Sequence, residues 1–281
     1  MRRTFFDILD STNFDFRKEY AKLKELFYEE ASVPYGGYLT PLADYIERTY
    51  FRELEIRRGC TDLDDFACKA NVSKYHSCTD LDSLYVFCEF LYAVLPEEQI
   101  KKQRSQFLTN QVNTIKGNIK HILEKTNHEL KMSPKYNNNY IIVEKNKATT
   151  LAAEIVEDIE TAYDLIEYNH YALKGDLETK KKILAALGTY IEPILTSKVL
   201  SANSYGSLES NVGFMLNNFH IRHNNKEGKK ANDYIASISD NDLEVLYDKT
   251  YSAILAVIII YDHISASKEI KTLKDTYTFK F

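Results

Sequence analysis

The chain has 281 residues, 44% of them hydrophobic and 27% charged, with nine Gly, five Pro and a net charge of −5. This describes one large or two ordinary globular domains, and so few turn residues disfavour an all-β fold. The acidic balance excludes a generally basic nucleic-acid binder, so any nucleic-acid contact has to come from a local patch.

The N-terminal Met-Arg-Arg-Thr-Phe-Phe-Asp has no apolar core of signal-peptide length. Phe16, Tyr20, Leu23, Leu26 and Phe27 are spaced as a helix over 15–30, broken by Val33-Pro34-Tyr35-Gly36-Gly37. Pro41 fits the first turn of a helix capped by Thr40 and running to about Arg58. Cys60-Thr-Asp-Leu-Asp64 recurs as Cys78-Thr-Asp-Leu-Asp82. Thr61 and Thr79 read best as helix caps with acids in the first turn, rather than as halves of a metal site. Cys60, Cys68, Cys78 and Cys88 form no Cys-x-x-Cys pair, so they are expected to be reduced thiols serving as small apolar residues. No metal and no cofactor are expected.

A helix over Leu84–Leu95 ends near Pro96, and a long one follows from about Glu97 to Leu130, with His121 and His128 on its surface. Lys131–Asn139 has the composition of a linker, and Tyr140–Val143 is the one expected strand. From Thr149 the stripe Leu151, Ile155, Ile159, Ala162, Ile166 predicts a first bundle helix. Lys174-Gly175-Asp176 stops it and caps a second, Leu177 to about Glu192, ended by Pro193. A polar loop, Ser201–Ser207, leads to a third helix with Leu208, Val212, Met215, Leu216 and Phe219 inward, carried through to Asn225. Asn224–Asp240 is a polar connection, and Asn241-x-x-Glu244 caps a fourth helix to about Ser267, before a Lys-rich, aromatic tail. Ala253–Tyr261 is apolar on nearly every side, which suits burial within a bundle or against a partner chain, but is far too short to span a bilayer. His170 and His263 sit at apolar helix edges and read as structural. A cytoplasmic protein without membrane contact is expected.

The third helix stands out. Asn217, Asn218, His220, Arg222, His223, Asn224 and Asn225 crowd its end, although Asn is a poor helix former. Arg222 is the only arginine after Arg104, and its planar fork suits phosphate as a lysine does not. On a continuous helix Asn217, His220 and Asn224 share one face, and Asn218, Arg222 and Asn225 form the adjacent stripe. A guanidinium, amides and a histidine are a minimal kit for metal-free RNA cleavage. A base takes the 2′-hydroxyl proton, the 2′-oxygen attacks phosphorus, the cation holds the developing charge and an acid protonates the leaving oxygen. The neighbours Arg222 and His223 point about 100° apart on one helix, so joint action needs the helix to end there or a second chain to complete the site.

Four helices over about 147–268, with Asn217-Asn218-Phe219-His220-Ile221-Arg222-His223-Asn224-Asn225 at the end of the third, resemble a HEPN domain of the kind in bacterial abortive-infection proteins. Tyr168-Asn169-His170 and Lys174-Gly175-Asp176 support the likeness, which covers less than half the chain. The resemblance implies a metal-independent endoribonuclease acting in phage defence or as a toxin. Its catalytic residues would be Arg222, His223 and His220, and its substrate-binding residues Asn217, Asn218, Asn224 and Asn225. It implies RNA as partner, no DNA, and a homodimer through the C-terminal bundle. The competing expectation is a catalytically inert HEPN-like module that binds RNA or dimerises, in which the polar cluster is buried and hydrogen-bonded. The expected architecture is all-α, with an N-terminal helical region over 1–135 that senses or gates and a HEPN-like bundle over 140–281.

Overall fold

The computed structural model describes residues 14–136, 139–222, 235 and 237–278. It is 70% helix and 9% strand with twelve α-helices among the described residues, so the all-α class holds, with two small two-stranded sheets added. The chain divides into compact units at Met1–Ile142 and Val143–Phe281.

In the first unit Asp15 caps α1 (Phe16–Lys24) by accepting from the Arg17 and Lys18 amides at 3.0 and 3.4 Å. The predicted break after it is a hairpin. β1 (Ala31–Tyr35) pairs antiparallel with β2 (Tyr38–Pro41) through Gly36 and Gly37, both at positive φ, as a two-residue hairpin loop demands. Strand is therefore not confined to Tyr140–Val143. α2 (Leu42–Thr49) stops well short of Arg58. The echoed motifs do open helices, α3 (Leu63–Lys69) and α4 (Leu81–Val94), but Asp62 and Asp80 are the caps. They accept from the Asp65 and Ser83 amides at 2.7 and 2.8 Å, one residue beyond the expected Thr61 and Thr79.

The long helix expected from Glu97 is two, α5 (Glu97–Lys102) and α6 (Gln106–Lys125), separated where Arg104 turns left-handed and Ser105 caps the new start. The chain then extends as β3 (His128–Ser133), paired with β4 (Asn139–Glu144), so the stretch expected as a linker is partly strand. His128 is half-buried and packs on Tyr85 rather than lying on a helix surface. Tyr20, Phe27, Phe87 and Phe90 form an aromatic core in this unit.

The second unit is a helical bundle. Its first expected helix is broken at Val156 into α7 (Lys147–Ile155) and α8 (Ile159–Glu167), because Asp158 offers a fresh cap to the Thr161 amide at 2.8 Å. α9 (Leu177–Thr196), capped by Asp176, runs through Pro193, losing one ladder donor but not the helix. A short α10 (Val199–Ala202) precedes α11 (Gly206–Asn218). The last helix, α12 (Asp240–Thr278), starts where Ser239 accepts from the Asp242 amide at 3.2 Å, and extends 39 residues, well past Ser267. Leu184, Leu187, Ile191, Val212, Leu216, Ile254, Val257 and Ile258 meet in one core. The apolar run Ala253–Tyr261 is thus largely taken up inside its own bundle, which removes the reason it offered for a second chain. Among the described residues no helix is long and apolar enough to cross a membrane.

Candidate functional site

The end of α11 is built against α9 at a glycine. A Cβ on Gly188 would lie 2.9 Å from Leu216 Cδ2 and 3.6 Å from Arg222 Cδ, so its absence is what lets α11 and the Arg222 stem lie close on α9. One turn on from Gly188, on the same face, is Glu192. The Arg222 Nη2 donates to Glu192 Oε2 in an ion pair. The arginine side chain is 18% exposed and the glutamate side chain 52%.

The predicted helix does not reach this far. α11 ends at Asn218, Phe219 leaves helical geometry, and His220 turns left-handed at φ 56°. The Arg222 amide then returns to the Leu216 carbonyl at 3.1 Å, closing the turn. The face assignments drawn for a helix through Asn225 are therefore corrected: Asn217 and Asn218 are helical, whereas His220 and Arg222 belong to the turn after it. Asn217 is exposed. Asn218 is half-buried, and its Nδ2 donates back to the Phe214 carbonyl at 2.8 Å. His220 is buried at 9% exposure, against Phe219 and Ile221, which are themselves buried. The Phe219 carbonyl accepts from the Tyr247 hydroxyl at 3.3 Å, tying the turn to α12. His223, Asn224 and Asn225 lie outside the described residues. Of the expected catalytic set, the structure brings Arg222 and His220 into one turn and gives the guanidinium a carboxylate that the sequence did not single out.

A second polar group ties α8, α9 and α12. Lys180 is buried at 6% exposure and reaches Glu244 Oε1 and Asp248 Oδ1, both at 2.8 Å, with its Nζ 5.2 Å from the Tyr168 ring centroid. Tyr168 donates to Asp248 at 2.9 Å and stacks on Tyr251 with centroids 4.0 Å apart. Burial and the Asp248 carboxylate push the Tyr168 hydroxyl well above its ordinary range, and burial pushes Tyr251 up to about 12. Burial alone would raise Glu244, but the Gly175 amide and Lys180 donate to it and hold it below the usual carboxylate range. Asn169 donates to Thr149 Oγ1 and Tyr251 Oη at 3.1 and 2.8 Å. The two turns that supported the resemblance, Tyr168–His170 and Lys174–Asp176, are thus parts of one internal polar lock. Lys180 begins a Lys-Lys-Lys run that looks solvated, so nothing in the sequence sets it apart from Lys181 and Lys182.

The other end of α11 holds a cleft of about 450 Å³, lined by Asn203, Tyr205, His263, Ile264, Ser267, Lys268 and Lys271. His263 is exposed and faces this cleft, which corrects its reading as a structural histidine. One cleft wall, the α10–α11 corner, is fixed by Glu209. This residue is buried at 6% exposure and accepts from Lys198 Nζ at 2.6 Å, Ser201 Oγ at 2.9 Å and the Ser201 amide at 3.2 Å. The Lys198 hydrogen bond, helped by Ser201, keeps its carboxyl below the usual range. Gly206 lets this corner close, since a Cβ there would meet Ser201 Oγ at 3.3 Å. Among the described residues no cluster of three His, Cys, Asp or Glu side chains is placed to hold a metal ion.

Compared with known proteins, the chain matches no family model, no curated protein and no solved structure.

Proposed function

We propose that the C-terminal unit is a HEPN-like bundle serving as a catalytically inert RNA-binding module in phage defence, with its Asn/Arg/His segment closing the fold. The observation that carries this reading is the Arg222–Glu192 ion pair at the turn that buries His220. A guanidinium whose charge is already met by a carboxylate is a weak anchor for a phosphate, because an incoming anion has to displace Glu192 or approach it. A buried imidazole is poorly placed to exchange a proton with a substrate hydroxyl. Asn218 Nδ2 already donates to the Phe214 carbonyl of its own helix. RNA as the partner, and the homodimer with it, rest on the resemblance of the Asn217–Asn225 segment.

The test is incubation of the full chain with mixed RNA and with DNA, with and without EDTA. The expected result is RNA retention without cleavage. Chelator-resistant products ending in 2′,3′-cyclic phosphate would overturn the inert reading. Sedimentation at micromolar concentration, with and without RNA, reads the homodimer.

One observation favours the ribonuclease as a second reading. Glu192 is half-exposed beside Arg222, and a carboxylate next to a guanidinium is a base next to a phosphate clamp. In that reading Glu192 takes the 2′-hydroxyl proton, the 2′-oxygen displaces the 5′-oxygen at phosphorus, and an acid, His223 in the sequence expectation, protonates the leaving oxygen. Glu192→Gln and Arg222→Lys would then each abolish cleavage while leaving the fold intact.

A further inference from the structure

We propose that the cleft between the α10–α11 corner and the second half of α12 is the surface that holds single-stranded RNA. This deepens, and rests on, the RNA-binding reading of the C-terminal unit. His263, Lys268 and Lys271 line the cleft from one helix, and all three are exposed. At 1.5 Å per residue they span about 12 Å of helix axis, a row of donors that tracks a polyanionic backbone. Among the described residues neither Lys268 nor Lys271 makes an ion pair, so their charge is open to a ligand, in contrast to Arg222.

Two carboxylates of α12 are turned away from the cleft. By helical geometry Asp262 and Glu269 project nearly opposite the lysine stripe, whereas Asp275 shares its face one turn beyond Lys271. Two lysines and no carboxylate thus line the cleft itself, on a chain whose net charge is −5. The facing wall supplies an aromatic. Tyr205 is 38% exposed, and a ring at the mouth of a basic groove stacks a base of any identity. Asn203 stands beside it, its Nδ2 donating to the Val199 carbonyl at 2.8 Å. The Glu209 lock on Lys198 and Ser201 holds this wall before any ligand arrives, which reduces the ordering that binding would require. A preformed 450 Å³ cleft is large enough for one nucleoside with its phosphates running along the lysines.

α11 has 13 residues, about 20 Å of helix, between this cleft and the Arg222 turn, so the two ends can be separated by mutation. The experiment is fluorescence anisotropy of the full chain with a labelled 12-mer of oligouridine across a salt series. Lys268→Glu/Lys271→Glu is expected to weaken binding at least about tenfold. Lys268→Ala/Lys271→Ala is expected to lower the salt slope by about 1.4, the release from two single-strand phosphates. Tyr205→Ala is expected to weaken binding on the order of tenfold, with Tyr205→Phe close to wild type because stacking survives. Arg222→Gln is expected to bind as the wild type does. Wild-type binding that the cleft variants leave unchanged would overturn the cleft while leaving an RNA-binding module standing. Failure of the wild type to bind RNA even at low salt would overturn both. Equal loss with an oligothymidine of the same length supports the cleft as a single-strand site that does not read the 2′-hydroxyl.

Discussion

The two ends of α11 treat positive charge in opposite ways. At its C-terminal end the single arginine of the C-terminal half folds onto Glu192 beside a buried histidine. At its N-terminal end two lysines and a histidine on α12 stand exposed around a cleft. The sequence draws attention to the first end, because arginine, histidine and asparagine cluster within nine residues. The structure shows that rich composition and available chemistry are different things: a charge answered inside the protein contributes to the fold, and a charge left unanswered is available to a partner.

That contrast makes ordered predictions for stability. The largest effect is expected at the buried lysine. Lys180→Ala leaves Glu244 and Asp248 without their cation, and because Asp248 is half-exposed the cost is discounted to about 2–3 kcal/mol. Urea unfolding of the full chain reads it, and a change below about 0.5 kcal/mol would mean the lock is not structural. Next is Glu209→Ala, about 1–2 kcal/mol, since it strands the Ser201 amide at the cleft corner. Arg222→Gln removes a partly exposed ion pair and is expected to cost about 1 kcal/mol or less. Lys268→Ala/Lys271→Ala is expected to leave stability within about 0.5 kcal/mol of wild type, as surface charges do. A reversal of the last two, with the cleft lysines holding the fold and Arg222 contributing nothing, would break the comparison.

Acid sharpens it further. Glu209 has a folded pKa below its ordinary 4.5, so its ionisation favours the folded state. That contribution is fully present above the unfolded value and is lost as pH falls from there through the folded value. Melting temperatures between pH 6 and pH 3 should therefore fall more steeply for the wild type than for Glu209→Gln. At the alkaline end the sign is opposite in form. Tyr251, raised to about 12, stabilises the fold below its unfolded value near 10, and that stability is lost as pH climbs from 10 through 12. Tyr251→Phe should flatten the alkaline loss of the bundle.

Much of the helical skeleton was legible. The apolar spacing of Leu208, Val212 and Leu216 located α11, and Asp176 is a real cap, although the helix that Lys174-Gly175-Asp176 was expected to stop already ends at Glu167. What failed has identifiable causes. Asn217 and Asn218 are poor helix formers, but the apolar stripe continues to Phe219 and suggests more helix. Only the left-handed turn at His220 separates the two readings, and left-handed geometry at a residue other than glycine is not written in periodicity. Tyr35-Gly36-Gly37-Tyr38 does more than break a helix: two adjacent glycines between extended residues make a hairpin turn. Glu192 became part of the Arg222 site through a contact across 30 residues, and the cleft joins Asn203 and Tyr205 to residues about sixty positions later. Such juxtapositions come from tertiary packing, which one sequence does not display.

The central claim is that RNA meets this unit at the Tyr205 end of α11 and not at the Arg222 end. The most direct measurement is photo-crosslinking of the full chain to single-stranded RNA carrying 4-thiouridine, followed by identification of the modified peptide. The expected crosslink lies on the segment Asn203–Tyr205 or on His263–Lys271. A crosslink concentrated on His220–Arg222, with the cleft segments unmodified, would contradict the account.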